Sequence, residues 1–274
     1  MENLDEIVDK GILKEINPVY KRKNGKSNII IPYYGNSIGL FLALKSSAVL
    51  AWGHEAHLLY PEGNTSLQRL EQIFRGSPKE HQKNIAYSLS HELKVSSLAL
   101  GLAMQSPDVN VFEIGCDIGL GSLFYANKSF HNIPKEGKAY NIRAFESDET
   151  RFNQAMQLKS VIEESKIFPI SPIEYKFGEG VLGVENLCNE GDIIFASMAE
   201  PDTSKGVLKI LENKRVNLVT SYSELTAKKI KEDEERFFDK LIPNNYEVRT
   251  FEDSSYNLNT FGEHQRFGII VRPK

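Results

Sequence analysis

The sequence predicts an α/β fold built on a mainly parallel sheet, preceded by a separate N-terminal region. Three observations lead there. From Val109 onward, short runs rich in Val, Ile and Phe alternate with longer polar segments, the order expected when crossover helices join parallel strands. That series begins with a strand, a loop with glycines at 115, 119 and 121, and a helix. The last two strand-like runs, Tyr246–Phe251 and Phe267–Arg272, are joined by a stretch rich in Asp, Ser, Asn and Gly. Such a connection does not form a helix, so this pair is expected as an antiparallel hairpin at one edge.

In chain order, residues 1–105 read as an α-rich cap or substrate region and 106–274 as the domain that carries the sheet. Leu4 to Ile16 has apolar residues at helical spacing, interrupted by Gly11. Lys21 to Ser27 is a basic, turn-forming run, and Asn28–Pro32 a short strand. Ser37–Ala51 predicts a buried helix, and Thr65–Phe74 a second, capped by Thr65 and Ser66. Ser77-Pro-Lys-Glu80 starts a third: Ser77 caps, Pro78 takes the first helical position, and Glu80 closes a capping box. That helix runs toward Met104. Beyond it, strands are expected at 109–114, 140–145, 172–177, 192–197 and 216–221, with helices at 120–128, 148–164, 203–213 and 232–242.

With 274 residues, 41% of them hydrophobic, the chain can bury a sizeable core. Its formal net charge of −4 argues against nucleic acid as a partner. The basic runs do not change this, because Lys228-Lys229-Ile-Lys231 is followed at once by Glu232-Asp-Glu-Glu235. Lys21-Arg-Lys23 reads as a solvated turn. The acidic start, Met1-Glu-Asn-Leu-Asp-Glu, has no long apolar run behind it, and Gly39–Trp52 is broken by Lys45, Ser46 and Ser47. No membrane association is expected, and the cytoplasm is the expected compartment. Two cysteines far apart, Cys116 and Cys188, make no disulfide framework. Assembly with a second copy of the chain stays open.

The chemistry concentrates in Val111-Phe-Glu-Ile-Gly-Cys-Asp-Ile-Gly-Leu-Gly-Ser122. Glycines at a strand-to-helix turn let the backbone adopt φ > 0 and let a ligand approach main-chain N–H groups. The next strand ends in Glu146, with Asp148 beyond it, where a carboxylate can hold a ribose diol. The pair describes a nucleoside-bearing cofactor at the C-terminal ends of a parallel sheet. The glycine spacing fails the Gly-x-Gly-x-x-Gly dinucleotide template. Glu113, just ahead of the first glycine, would repel a pyrophosphate but attract an aminoacyl ammonium.

That pattern resembles the first motif of class I S-adenosylmethionine (SAM)-dependent methyltransferases. Phe112–Gly119, followed by Ala144-Phe-Glu-Ser-Asp148, is similar to the FkbM family among them. That family carries Asp-x-Gly-Ala-Asn-x-Gly and then Phe-Glu-Pro; here Glu113, Cys116, Asp117 and Ser147 stand at the differing positions. The likeness covers about residues 80–274, with specific motifs in its first half. The family's later Lys-Ile-Asp-x-Glu-Gly strand has no counterpart in Asp192-Ile-Ile-Phe-Ala-Ser-Met-Ala-Glu-Pro201. The resemblance implies a Rossmann-like sheet, parallel except for one strand near its C-terminal end. It implies SAM as cofactor and O-methylation of a sugar or similar small-molecule acceptor.

On this reading Glu113, Cys116 and Asp117, with the backbone of Gly115 and Gly119, meet the methionine end of the cofactor. Glu146, followed by Ser147, holds the ribose, and Glu179 accepts from the adenine amino group. Ser197 and Met198, ending the fourth strand, face the methyl region. Glu200 and Asp202 are candidates for a base, and equally for helix N-terminal acids that favour the dipole. His54, within Trp52-Gly-His-Glu-Ala-His57, is a further catalytic candidate on a substrate-lining loop. His-x-x-His there is not the His-Glu-x-x-His zinc motif, and no metal is expected. Two alternatives stay open: an NAD-dependent nucleotide-sugar enzyme, and a non-catalytic cofactor-binding relative.

Overall fold

The computed structural model describes residues 19–23, 26–30, 56–59, 95–96, 98–106, 108–126, 141–165, 170–222, 245–253 and 266–274. In the N-terminal region, β1 (Val19–Lys23) and β2 (Lys26–Ile30) pair antiparallel, and β3 (Ala56–Leu59) joins β2 in parallel. The basic run at 21–27 is therefore mostly strand rather than turn, and His57 lies in a strand rather than a loop. These strands add a small sheet to the helices expected for residues 1–105, of which three lie outside the described residues. Its helical residues, 95–96 and 98–103, belong to the helix expected to run toward Met104. The helices expected at 4–16, 37–51, 65–74 and 232–242 lie outside the described residues.

Seven strands form the main sheet: β4 (Val111–Ile114), β5 (Ile142–Glu146), β6 (Ile173–Phe177), β7 (Ile193–Ala199), β8 (Asn217–Tyr222), β9 (Tyr246–Asp253) and β10 (Arg266–Pro273). Their order is β6-β5-β4-β7-β8-β10-β9. β10 runs antiparallel to both β8 and β9, so it alone opposes the other six. The helices are α1 (Leu120–Ala126), α2 (Glu149–Ser165), α3 (Gly180–Leu187) and α4 (Pro201–Asn213). Among the described residues, no helix is long and apolar enough to cross a membrane.

Strand alternation divides the core between the two faces. Val111, Ile193 and Phe195 pack with Val95, Leu98, Phe124, Leu158 and Ile162, on the side of α1 and α2. Phe112, Ile114, Ile194 and Ala196 pack with Val184, Val207, Leu208 and Leu211, on the side of α3 and α4. Strands covered on both faces lose the polar alternation of a one-sided sheet, so β4 and β7 read as nearly continuous apolar runs. Each such side chain contributes roughly 1.5–3 kcal/mol by leaving water.

Each strand expected after residue 105 is present, shifted by no more than two residues at either end. Helix α3 was not expected, and its two glycines explain why. Gly180 and Gly183 lower helix propensity, yet they let the helix lie close against the sheet. A Cβ at 180 would crowd Ile114, and one at 183 would overlap the Phe145 ring. The C-terminus of α3 is closed by Lys214, whose Nζ donates to the carbonyls of Glu185 and Cys188 at 2.5 and 2.7 Å. Replacing Gly183 by Ala sets a helix-propensity gain of up to about 1 kcal/mol against overlap with a buried ring. The overlap is expected to win. Gly183→Ala should lower the urea unfolding free energy by about 1–2 kcal/mol.

Candidate functional site

The sheet order reverses direction at β4. From there the chain passes through α1 to β5 on one side, and later returns to β7 on the other. Open α/β sheets leave a crevice at such a point, outside the carboxyl ends of the strands. Pairing of β4 with β7 stops at Glu113 and Phe195, so the two chains part just beyond. β7 then carries one extra residue against β8: Ala196 opposes Thr220, while Ala199 opposes Tyr222. The bulge falls at Ser197 and Met198. Bulges re-aim side chains near sites. The Ser197 hydroxyl oxygen is buried with no hydrogen-bond partner among the described residues.

The β4–α1 loop takes left-handed φ at three residues: Gly115 (68°), Asp117 (51°) and Gly119 (81°). Aspartate is among the few non-glycine residues that accept this conformation. The loop is pinned by the neighbouring strand: the Cys116 N–H donates to the Phe145 carbonyl at 2.9 Å. The Glu146 side chain binds it a second time. Its Oε2 accepts from the Asp117 N–H at 2.8 Å, and its Oε1 from the Asp148 N–H at 2.9 Å. Asp148 Oδ1 accepts from the Arg151 N–H and so caps α2. The Arg151 guanidinium lies 3.3 Å from Asp117 Oδ1.

Further acidic side chains crowd here beside Asp117. Burial lifts the Asp117 carboxyl to about 6, against the pull of Arg151 and with Glu146 and Asp148 adding. Burial lifts Glu113 further, to about 8, opposed by the Ser122 hydrogen bond and helped by Glu146 and Asp117. Glu113 is 1% exposed; its carboxyl lies under the first turn of α1, accepts from the Ser122 hydroxyl and would overlap any Cβ at Gly121. It therefore supports the loop from beneath.

Gly115 follows β4 and Gly178 follows β6, and a Cβ added at either would meet nothing within 4 Å. Between them lies Glu146, 6% exposed, with exposed Ser147 beside it. The Phe177 ring is 58% exposed at the end of β6, against Phe152 of α2 at 5.7 Å between centroids. Cys116 is buried in the loop. Glu179 is exposed at the N-terminus of α3 and makes no side-chain cap. Glu200 is the N-cap position of α4, and Asp202 in its first turn is exposed and 3.8 Å from Lys205. His54 lies outside the described residues. The structure thus joins the loop 115–119 to the end of β5 through Glu146, leaves Glu113 beneath the loop and Ser197 on the β7 bulge, and sets Glu200 and Asp202 at a helix start. Sequence reasoning missed Arg151, Ser122 and Tyr175, whose contacts come from side-chain reach rather than motif spacing.

A recess of about 380 Å³, lined by Asn110, Asn141, Arg143 and Glu174 among others, lies at the opposite end of the strands. Arg143 and Glu174 already satisfy each other there at 2.9 Å. The open glycines and the Ser197 hydroxyl lie at the other, carboxyl end of the strands.

No protein-family model matches the sequence, and no curated protein does. Solved structures do match. The chain is similar to an O-methyltransferase of Bacillus cereus in complex with S-adenosylhomocysteine (SAH): 16% identity, 79% of this chain and 93% of that one, TM-score 0.50. It is similar to the same extent to an O-methyltransferase of Streptomyces achromogenes, involved in tomaymycin synthesis and in complex with SAM. The identity is 16%, over 79% of this chain and 93% of that one, with a TM-score of 0.51. The chain has the class I methyltransferase fold. Its seven-stranded, mostly parallel sheet matches theirs.

The buried Glu113 has a consequence for stability. Its folded-state pKa of about 8 stands above its ordinary 4.5, so its contribution is complete below 4.5 and is lost as pH rises through 8. Gln reproduces the neutral carboxyl and does not ionise. Glu113→Gln should gain thermal stability relative to wild type as pH rises from 5 to 9, and melting curves at three pH values check this.

Proposed function

We propose that the protein is a SAM-dependent O-methyltransferase whose acceptor is a hydroxyl of a sugar or sugar-like small molecule. The observation that carries this reading is the open crevice between Gly115 and Gly178 with Glu146 at its centre. It fits a nucleoside cofactor: two bare glycines leave room for ligand atoms, and a carboxylate lies between them. Each Glu146 oxygen accepts one N–H and keeps a second acceptor site for a ribose hydroxyl.

When bound, SAM supplies a methyl group made electrophilic by its sulfonium. The chain's own residues position and desolvate the reactants. The loop from Gly115 to Gly119, with Cys116 and Asp117, takes the amino acid end, supported from below by Glu113. Ser147 and Glu179 flank the ribose and adenine, and Ser197 and Met198 face the methyl group. A hydroxyl acceptor benefits from a general base, for which Glu200, Asp202 and His54 are the candidates. The resemblance to the FkbM family favours the sugar acceptor, with residues 1–105 as the acceptor-binding region. The strand 192–201, which lacks that family's signature, favours a second reading: a relative that binds the cofactor without turnover.

Calorimetric titration with SAH, alongside NAD, tests the first reading. Micromolar binding of SAH alone is expected, weakened at least about tenfold in Glu146→Ala, which loses charged hydrogen bonds worth about 1.5–3 kcal/mol. Absence of SAH binding would sink the proposal, and binding without turnover on any acceptor would favour the second reading. Once an acceptor is known, Trp52→Ala should raise its KM about tenfold, the loss of one aromatic contact of about 1.4 kcal/mol. An unchanged KM would remove that segment from the site.

A further inference from the structure

The glycine loop is anchored from β6 as well as from β5. Glu113, Ala144 and Tyr175 are register partners across β4, β5 and β6, and so form one row on the α1 side of the sheet. Ala144 carries only a methyl group, which lets the Tyr175 ring lie over β5 toward the loop. Its phenol hydroxyl donates to the Gly119 carbonyl at 3.2 Å, and the Ser122 hydroxyl interacts with the same phenol. Ser122 in turn donates to Glu113. Tyr175, Ser122 and Glu113 thereby make a continuous polar string beneath the first turn of α1.

The fit at Gly119 is close: a Cβ there would overlap the phenol oxygen. Gly119 thus serves two purposes, a left-handed φ of 81° and room for Tyr175. A side chain needed only for core packing here would be Phe, because burying a hydroxyl is unfavourable unless it is hydrogen-bonded. Burial, with Cys116 and Glu113 nearby, pushes the phenol well above its ordinary pKa of 10.0, so it remains a donor at every working pH.

We propose that Tyr175 is a positioning residue, fixing the Gly119 carbonyl and with it the peptide groups that the loop presents to the amino acid end of the cofactor. The identity of that ligand rests on the SAM reading; the anchoring of the loop does not.

The test uses the full chain and Tyr175→Phe, with three readouts. Hydrogen exchange followed by mass spectrometry should show faster exchange confined to 115–126, with the melting temperature nearly unchanged. SAH affinity should fall about tenfold, the scale of one hydrogen bond. Affinity for 5′-methylthioadenosine, which lacks the amino acid end, should change less than about twofold, since Glu146 holds the ribose independently. Equal losses for both ligands, or uniformly faster exchange with a lowered melting temperature, would reduce Tyr175 to a core residue and overturn the proposal. Unchanged exchange in 115–126 would overturn it too. If the wild-type chain binds neither ligand, the SAM reading falls, and the exchange experiment still decides whether Tyr175 anchors the loop.

Discussion

One carboxylate governs the geometry of the crevice. Glu146 accepts backbone N–H groups from both directions, Asp117 on the glycine loop and Asp148 at the entrance to α2. The first bond stabilises a non-glycine residue in left-handed conformation, which is unfavourable without compensation. The second fixes the turn that lets Asp148 cap α2 and sets Arg151 beside Asp117. Loop, strand end and helix start are therefore joined through a single side chain, and the open space between Gly115 and Gly178 lies beside that junction.

Burying several carboxyls together makes this arrangement costly. Burial, with neighbouring carboxylates adding, raises Glu113 and Asp117, and the Arg151 guanidinium beside Asp117 only partly offsets it there. A region this rich in carboxyls suits a ligand that carries a cation. An amino acid end of the SAM type has that character, and a dinucleotide pyrophosphate does not.

The fold was legible because burial on two faces leaves a strong mark. β4 and β7 could be read directly from Val111–Ile114 and Ile193–Ala196, and Glu146 from its place at the end of an apolar run. Helix α3 was not legible, since Gly180 and Gly183 look like turn residues until Phe145 and Ile114 are seen against them. Within the site, backbone-driven features were readable from glycine spacing. Glu113 was placed at the right position but given the wrong outlook: its carboxyl turns under α1 to meet Ser122. Strand alternation gives the face of a residue, not how far its side chain reaches across a neighbouring strand. For the same reason Tyr175 left no trace in the sequence.

The position of β10 bears on how the chain is made. It is the last of the seven strands to leave the ribosome, yet it lies between β8 and β9, which precede it. Among the described residues, β9 pairs with β10 alone. Until residues 266–273 emerge, the edge of β8 that β10 covers and the whole of β9 have no sheet partner among the described residues. The parallel part of the sheet can assemble during synthesis, and its right-hand edge closes in one late step. That delay leaves a transient edge strand, the kind of surface that chaperones cover in nascent chains.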